Sequence, residues 1–182
     1  MAYITRLDVD AYGSLDAPDD VWPRDVTQHN WMSGDRYPQI EGTIPFSWEP
    51  GDKRQTPDAF WYPQMRDWVL SGSAYQAMTG VASQDLHLIA RGALDGNPLY
   101  LVQAPTVLDV IDRERSIIDR YPTYEILRFP VLPRSAAPLV AERIFRVPGS
   151  ATIIVIGEAV RQAIEDSAST GFNFVPVEWS DG

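Results

Sequence analysis

Hydrophobic and polar positions change rhythm several times along this chain, and the clearest changes lie near its end. Arg143-Ile144-Phe145-Arg146-Val147 alternates, Pro148-Gly149-Ser150 turns, and residues 151–156 form an unbroken apolar run with the β-branching of a buried strand. Gly157-Glu158 interrupts that run. Val160, Ala163, Ile164 and Ala168 then recur at helical spacing, with Glu158 in the first turn, where the positive end of the helix dipole favours a carboxylate. Thr170-Gly171 stops the helix, and Phe172, Phe174 and Val177 predict a closing strand. The unit reads strand, turn, strand, helix, turn, strand, and it is the expected core.

Upstream the pattern is more broken. Residues 3–9 alternate like a strand, after which Gly13, Pro18 and Pro23 predict an acidic surface loop over 10–30, and the Pro and Gly residues of 31–58 leave room only for irregular or short-strand structure. Residues 67–71 read as a strand entering a helix over 73–79 that Gly80 ends. A strand at 86–90, a tight turn at Asp95-Gly96-Asn97 and a returning strand at 99–102 predict a hairpin. Residues 107–121 suit a strand ending near Ile111 followed by a helical turn over 113–120, and 124–129 suits another short strand. Pro130, Pro133 and Pro138 read as a linker. A shift of 86 residues lays Trp68-Val69-Leu70-Ser71 on Ile154-Val155-Ile156-Gly157 and Ala77-Met78 on Ala163-Ile164. A duplication explains this echo, and so does the apolar rhythm of any strand–helix–strand unit. The expected fold is α+β: a short-stranded, mixed or antiparallel sheet with a few helices and a Pro-rich, irregular N-terminal third. One domain is expected over 1–182, with 1–60 irregular and acidic and 61–182 holding the strand–helix–strand units.

Composition narrows the chemistry. The 182 residues contain no Cys, which removes disulfides, thiolate metal sites and cysteine nucleophiles. No apolar stretch reaches the ~18 residues that span a bilayer, and the N-terminus lacks a basic region followed by an apolar core, so the expected location is the cytoplasm. The net charge of −10 disfavours phosphate backbones and favours basic partners. That charge is uneven: residues 1–60 hold 11 acidic against 5 basic side chains, whereas 61–120 and 121–182 each hold 7 against 5.

Motifs for catalysis are missing: no Gly-x-Ser-x-Gly elbow, phosphate loop or dinucleotide glycine motif occurs. Asp8, Asp10, Tyr12, Gly13, Ser14, Leu15, Asp16 and Asp19 follow EF-hand calcium-loop spacing. Tyr at the fifth position, Asp in place of the long Glu at the twelfth, Pro18 inside the loop and a preceding strand argue instead for a solvated acidic loop. Two histidines, His29 and His87, are too few for a zinc site without carboxylates from elsewhere. Trp22, Trp31, Trp48 and Trp61 could stack on sugars, although aromatics at this density usually pack a core. No metal or cofactor is expected.

One resemblance is carried by Glu142-Arg143-Ile144-Phe145-Arg146, Ile153-Ile154-Val155 and Thr170-Gly171-Phe172-Asn173-Phe174-Val175-Pro176. A second block, Leu99-Tyr100-Leu101-Val102 leading into Val110-Ile111-Asp112-Arg113-Glu114-Arg115-Ser116, adds to it. Together these resemble the Imm11 (DUF1629) family of bacterial polymorphic-toxin immunity proteins, with Gly157 standing where the family usually has a Ser. The resemblance implies a non-enzymatic protein that binds and neutralises a cognate toxin; the alternative is a non-catalytic carbohydrate- or calcium-binding module. Given a toxin with a basic surface, Asp16, Asp19, Asp20 and Asp25 around Trp22 form the expected binding patch. A solubilising loop with Trp22 tucked into the core accounts for the same residues.

Overall fold

The computed structural model describes residues 1–18, 35–62, 67–150 and 152–181. In chain order the elements are β1 (Ala2–Leu7), α1 (Val9–Tyr12), β2 (Gly13–Asp16), β3 (Thr43–Pro45), β4 (Ser47–Pro50), β5 (Ala59–Tyr62), β6 (Asp67–Ser71), α2 (Gly72–Ala82), β7 (His87–Leu94) and β8 (Asn97–Gln103). They continue with β9 (Ile117–Arg120), β10 (Glu125–Phe129), β11 (Val131–Pro133), α3 (Ala137–Val140), β12 (Ile144–Arg146), β13 (Ile154–Gly157), α4 (Glu158–Asp166), β14 (Phe172–Pro176) and β15 (Glu178–Ser180). Two larger sheets organise these elements, one ordered β3-β7-β8-β6-β5 and the other β12-β13-β1-β14. The fold is α+β.

Strand alternation explains how three apolar clusters arise. Side chains on successive strand residues point to opposite faces, so Trp68 and Leu70 of β6 face one way and Val69 the other. Likewise Ile154 and Ile156 of β13 face the helices, while Val155 faces Phe145, Leu132 and Val140. Both faces of β13 are therefore buried, which accounts for an apolar run in place of alternation. Helices α2 and α4 share one core with the inner faces of both sheets: α2 contributes Ala74, Met78 and Ala82 at four-residue spacing, and α4 contributes Val160 and Ile164.

The echo at 86 residues has a structural counterpart. Strands β6 and β7 both run antiparallel to β8 between them, hence parallel to each other, and α2 joins them. Strands β13 and β14 flank β1 in the same way and are joined by α4. An outer antiparallel strand, β5 or β12, precedes each unit. The middle strand follows β7 directly in the first unit, whereas in the second it comes from the N-terminus of the chain.

Several local expectations are corrected. Gly80 does not end α2, which runs on to Ala82; the glycine lies on an exposed turn with open space around it. Residues 117–120 are a strand paired with β10, not part of a helical turn, and Val107 makes only an isolated bridge to Arg146. The Pro-rich stretch is ordered: Val131, Leu132 and Val140 are buried, Pro138 opens α3, and β11 pairs with β15. Within the expected loop at 10–30, Gly13–Asp16 pairs with β4. At the second helix start, a Cβ on Gly157 would lie 2.1 Å from the Val140 carbonyl oxygen and 2.2 Å from that of Ala141. That crowding explains why no Ser is accommodated there, whereas the matching Ser71 caps α2 through the Ala74 N–H.

Candidate functional site

Of the five residues expected to meet a partner, Asp16 is described; Asp19, Asp20, Trp22 and Asp25 lie outside the described residues, as do His29 and Trp31. Asp16 is exposed at the end of β2 and accepts a hydrogen bond from the Ala17 N–H at 2.9 Å. Nearby, Asp8 caps α1 through the Ala11 N–H, and the Asp10 carbonyl accepts from the Asp52 N–H. With Glu49 opposite Ser14 on β4, exposed carboxylates gather at this corner. The first residues of the EF-hand spacing thus form a helical turn rather than a wrapping loop. Among the described residues no three His, Asp or Glu side chains converge as metal ligands. Trp48 is half-buried and donates from Nε1 to the Tyr12 carbonyl at 2.8 Å, and His87 Nε2 lies 2.7 Å from the Tyr37 carbonyl oxygen.

A different feature emerges from the sheet around β1. Strand β13 accompanies β1 only from Ala2 to Ile4, whereas β14 follows it as far as Leu7. The chain before β13 is drawn aside by the turn at Gly149, where φ is +79°, and by the Ser150 hydroxyl, which accepts from the Ile153 N–H at 3.2 Å. Leu127 of β10 fastens to this turn, its N–H donating to the Gly149 carbonyl at 3.1 Å. Between the departing strands lies a groove of about 830 Å³. Its walls come from β1 and α1 (Thr5, Arg6, Val9), Trp61 of β5, and Tyr124 with the β10 strand behind it. A cleft of that size lined by aromatic and aliphatic groups with a few charges has the character of a recognition site.

The β9–β10 hairpin forms the groove's outer lip. The Tyr121 N–H donates to the Tyr124 carbonyl at 2.9 Å, and the two rings stack with centroids 4.6 Å apart. Both tyrosines and Ile117 are exposed. Arg113 and Arg120 both pair with Glu125, and Arg128 pairs with Asp119. Arg6, exposed on the opposite wall, has no acidic partner among the described residues. None of these positions stood out by motif. A signal was nonetheless present: residues 113–128 carry four Arg against three acids in an otherwise acidic chain, around a Tyr-Pro-Thr-Tyr turn.

Three buried or half-buried aspartates join the two strand–helix–strand units. Asp85 accepts from Arg143 Nε at 2.7 Å, from a second Arg143 nitrogen at 2.8 Å, from the Ile144 N–H at 3.0 Å and from the Thr106 hydroxyl at 2.8 Å. Burial alone would raise this carboxyl, but the Arg143 and Ile144 bonds outweigh it and hold it below the usual carboxylate range. Asp67 meets Arg146 at 2.5 Å with both side chains enclosed; burial pushes it up to about 7 against the pull of Arg146. Asp58 accepts from Ser71, Ser73 and the Thr170 N–H, and its carboxyl is also held low. Neither Asp67 nor Asp85 lines the groove, so their perturbed protonation belongs to the join between the sheets.

No helix among the described residues is long and apolar enough to cross a membrane. No curated protein matches this chain in sequence. The family model described as "Immunity protein family (Imm11)" matches residues 5–179, a span that takes in both sheets, the aspartate joins and the groove. On that match the chain belongs to the Imm11 immunity protein family.

Proposed function

We propose that this chain neutralises a bacterial toxin by binding it, with no catalytic step of its own. The observation that carries this reading is the family match over residues 5–179, nearly the whole chain. The surface agrees with it in kind. Tight protein interfaces centre on a few Tyr, Trp and Arg anchors inside a polar rim, and Trp61, Tyr124 and Arg6 are such anchors around one groove. The test is co-expression with the product of each gene adjoining this chain's own, screened first for toxicity. The toxic product and this chain should co-purify, and cells should survive the toxin only when this chain is present; survival unchanged by the chain would overturn the proposal.

The net charge of −10 supports a basic toxin surface, met in the cytoplasm. In this proposal the acidic stretch of Asp16, Asp19, Asp20 and Asp25 around Trp22 steers the encounter, and aromatic anchors set the residence time. Neutralising Asp16, Asp19 and Asp20 together as Asn should slow association and flatten its dependence on ionic strength. An unchanged rate with unchanged salt dependence removes the stretch from the interface.

A further inference from the structure

The backbone of β1 changes its surroundings halfway along. The Val177 N–H donates to the Ala2 carbonyl at 3.0 Å, and the Asp8 N–H donates to the Gly171 carbonyl at 3.3 Å. Since backbone groups alternate sides along an antiparallel strand, Ala2, Ile4, Arg6 and Asp8 address β14, and Tyr3, Thr5 and Leu7 address the other side. On that other side β13 pairs only as far as Ile4. Beyond it no described strand receives the Leu7 N–H and C=O, and this open edge faces the groove. Unpaired strand edges are templates for another strand, and proteins usually blunt them with Lys, Pro, bulges or a cover. Thr5, Arg6 and Leu7 supply no Pro and no bulge. The edge lies instead in a groove whose other walls include Trp61 and the Tyr124 lip.

A second observation points the same way. Thr5 lines the groove and is 6% exposed, and its buried hydroxyl has no hydrogen-bond partner among the described residues. Buried polar groups are nearly always satisfied, so a missing donor or acceptor at a groove marks where one is to be supplied. Arg6, which has no acidic partner among the described residues, adds a charge to be matched.

We propose that the toxin docks an extended segment along Thr5–Leu7 of β1 as an added strand, with an acidic side chain of that segment meeting Arg6 and an apolar one lying between Trp61 and Tyr124. This rests on the toxin-binding reading and names the place and mode of contact. In such strand addition the main-chain hydrogen bonds supply affinity and the flanking pockets supply specificity. An acidic group on a toxin of basic overall surface is the local counterpart of Arg6, much as the Arg-rich hairpin is a local exception on this acidic chain.

The test uses the full chain and the toxin identified by the co-expression screen, with amide exchange read by residue and affinity measured for three variants. Binding should slow exchange of the Leu7 amide at least tenfold, and Arg6→Glu and Tyr124→Ala should each weaken binding at least tenfold. Leu139→Ala, exposed on α3 away from the groove, should bind as the parent does. Toxin binding with no Leu7 protection and full affinity in both groove variants overturns the strand-addition proposal and leaves the toxin-binding reading standing. Absence of any binding overturns both. Leu7 protection that rises with protein concentration in the absence of toxin assigns the edge to a second copy and also overturns it.

Discussion

Asp85 gives the sharpest test of what holds the two units together. Replacing it as Asp85→Asn keeps its volume and removes the charge that Arg143, the Ile144 N–H and the Thr106 hydroxyl share. Hydrogen bonds to charged groups are worth about 1.5–3 kcal/mol each, and breaking a fully buried ion pair costs about 3–5 kcal/mol. Arg143 keeps 27% of its side chain exposed and can take up water, so the expected loss is smaller, about 2–4 kcal/mol. For a chain of this length that lowers the thermal midpoint by roughly 4–16 °C. Urea unfolding at pH 7, followed by tryptophan fluorescence and far-ultraviolet circular dichroism, measures it. The two probes should move together, because Asp85 joins the second unit to the first.

The pH dependence has a definite sign. The folded-state carboxyl is held below its unfolded value, so its stabilisation is fully present above the unfolded pKa of about 3.9 and is lost as pH falls through the folded value. The gap between parent and variant should therefore be widest near neutrality and narrow below about pH 4. A loss under 1 kcal/mol at pH 7, or a gap that widens in acid, would refute this account of the join.

Other substitutions probe the fold directly. Ile164, 1% exposed between α4 and the sheets, should cost about 2–5 kcal/mol as Ile164→Ala in the same urea assay. The two helix glycines should respond with opposite signs. Gly157→Ala drives a methyl into two backbone carbonyls and should destabilise by about 1–3 kcal/mol or more, whereas Gly80→Ala, with nothing within 4 Å, should stabilise by about 0.5–1 kcal/mol. Added calcium should leave the thermal midpoint unchanged; a rise that saturates with calcium would revive the loop beginning at Asp8.

What was legible in the chain was local. The C-terminal succession of strand, turn, strand, helix and strand, and the Asp95-Gly96 hairpin with both residues at positive φ, follow from spacing and turn chemistry within a few residues. The long-range partner was not legible: nothing in Ala2–Leu7 says that it inserts between β13 and β14 rather than beside its sequence neighbours. Ile117 and Ile118 misled because β9 is a surface strand with charges on both sides, which lacks the clean alternation of a half-buried one. The Pro-rich stretch misled because Pro133 ends a short strand and Pro138 opens a helix, two places where the missing N–H costs little. The groove draws its walls from β1, β5, β10 and the turn before β13, so no one segment carried its signature.

The central claim is that neutralisation is a binding event, and a titration of toxin activity with the purified chain tests it most directly. At toxin concentrations well above the dissociation constant, activity should fall linearly and reach its floor at a fixed molar ratio, and dissociating the complex should return active toxin. Loss of activity at far less than stoichiometric amounts, continuing with time and leaving a permanently altered toxin, would contradict the account and make this chain an enzyme.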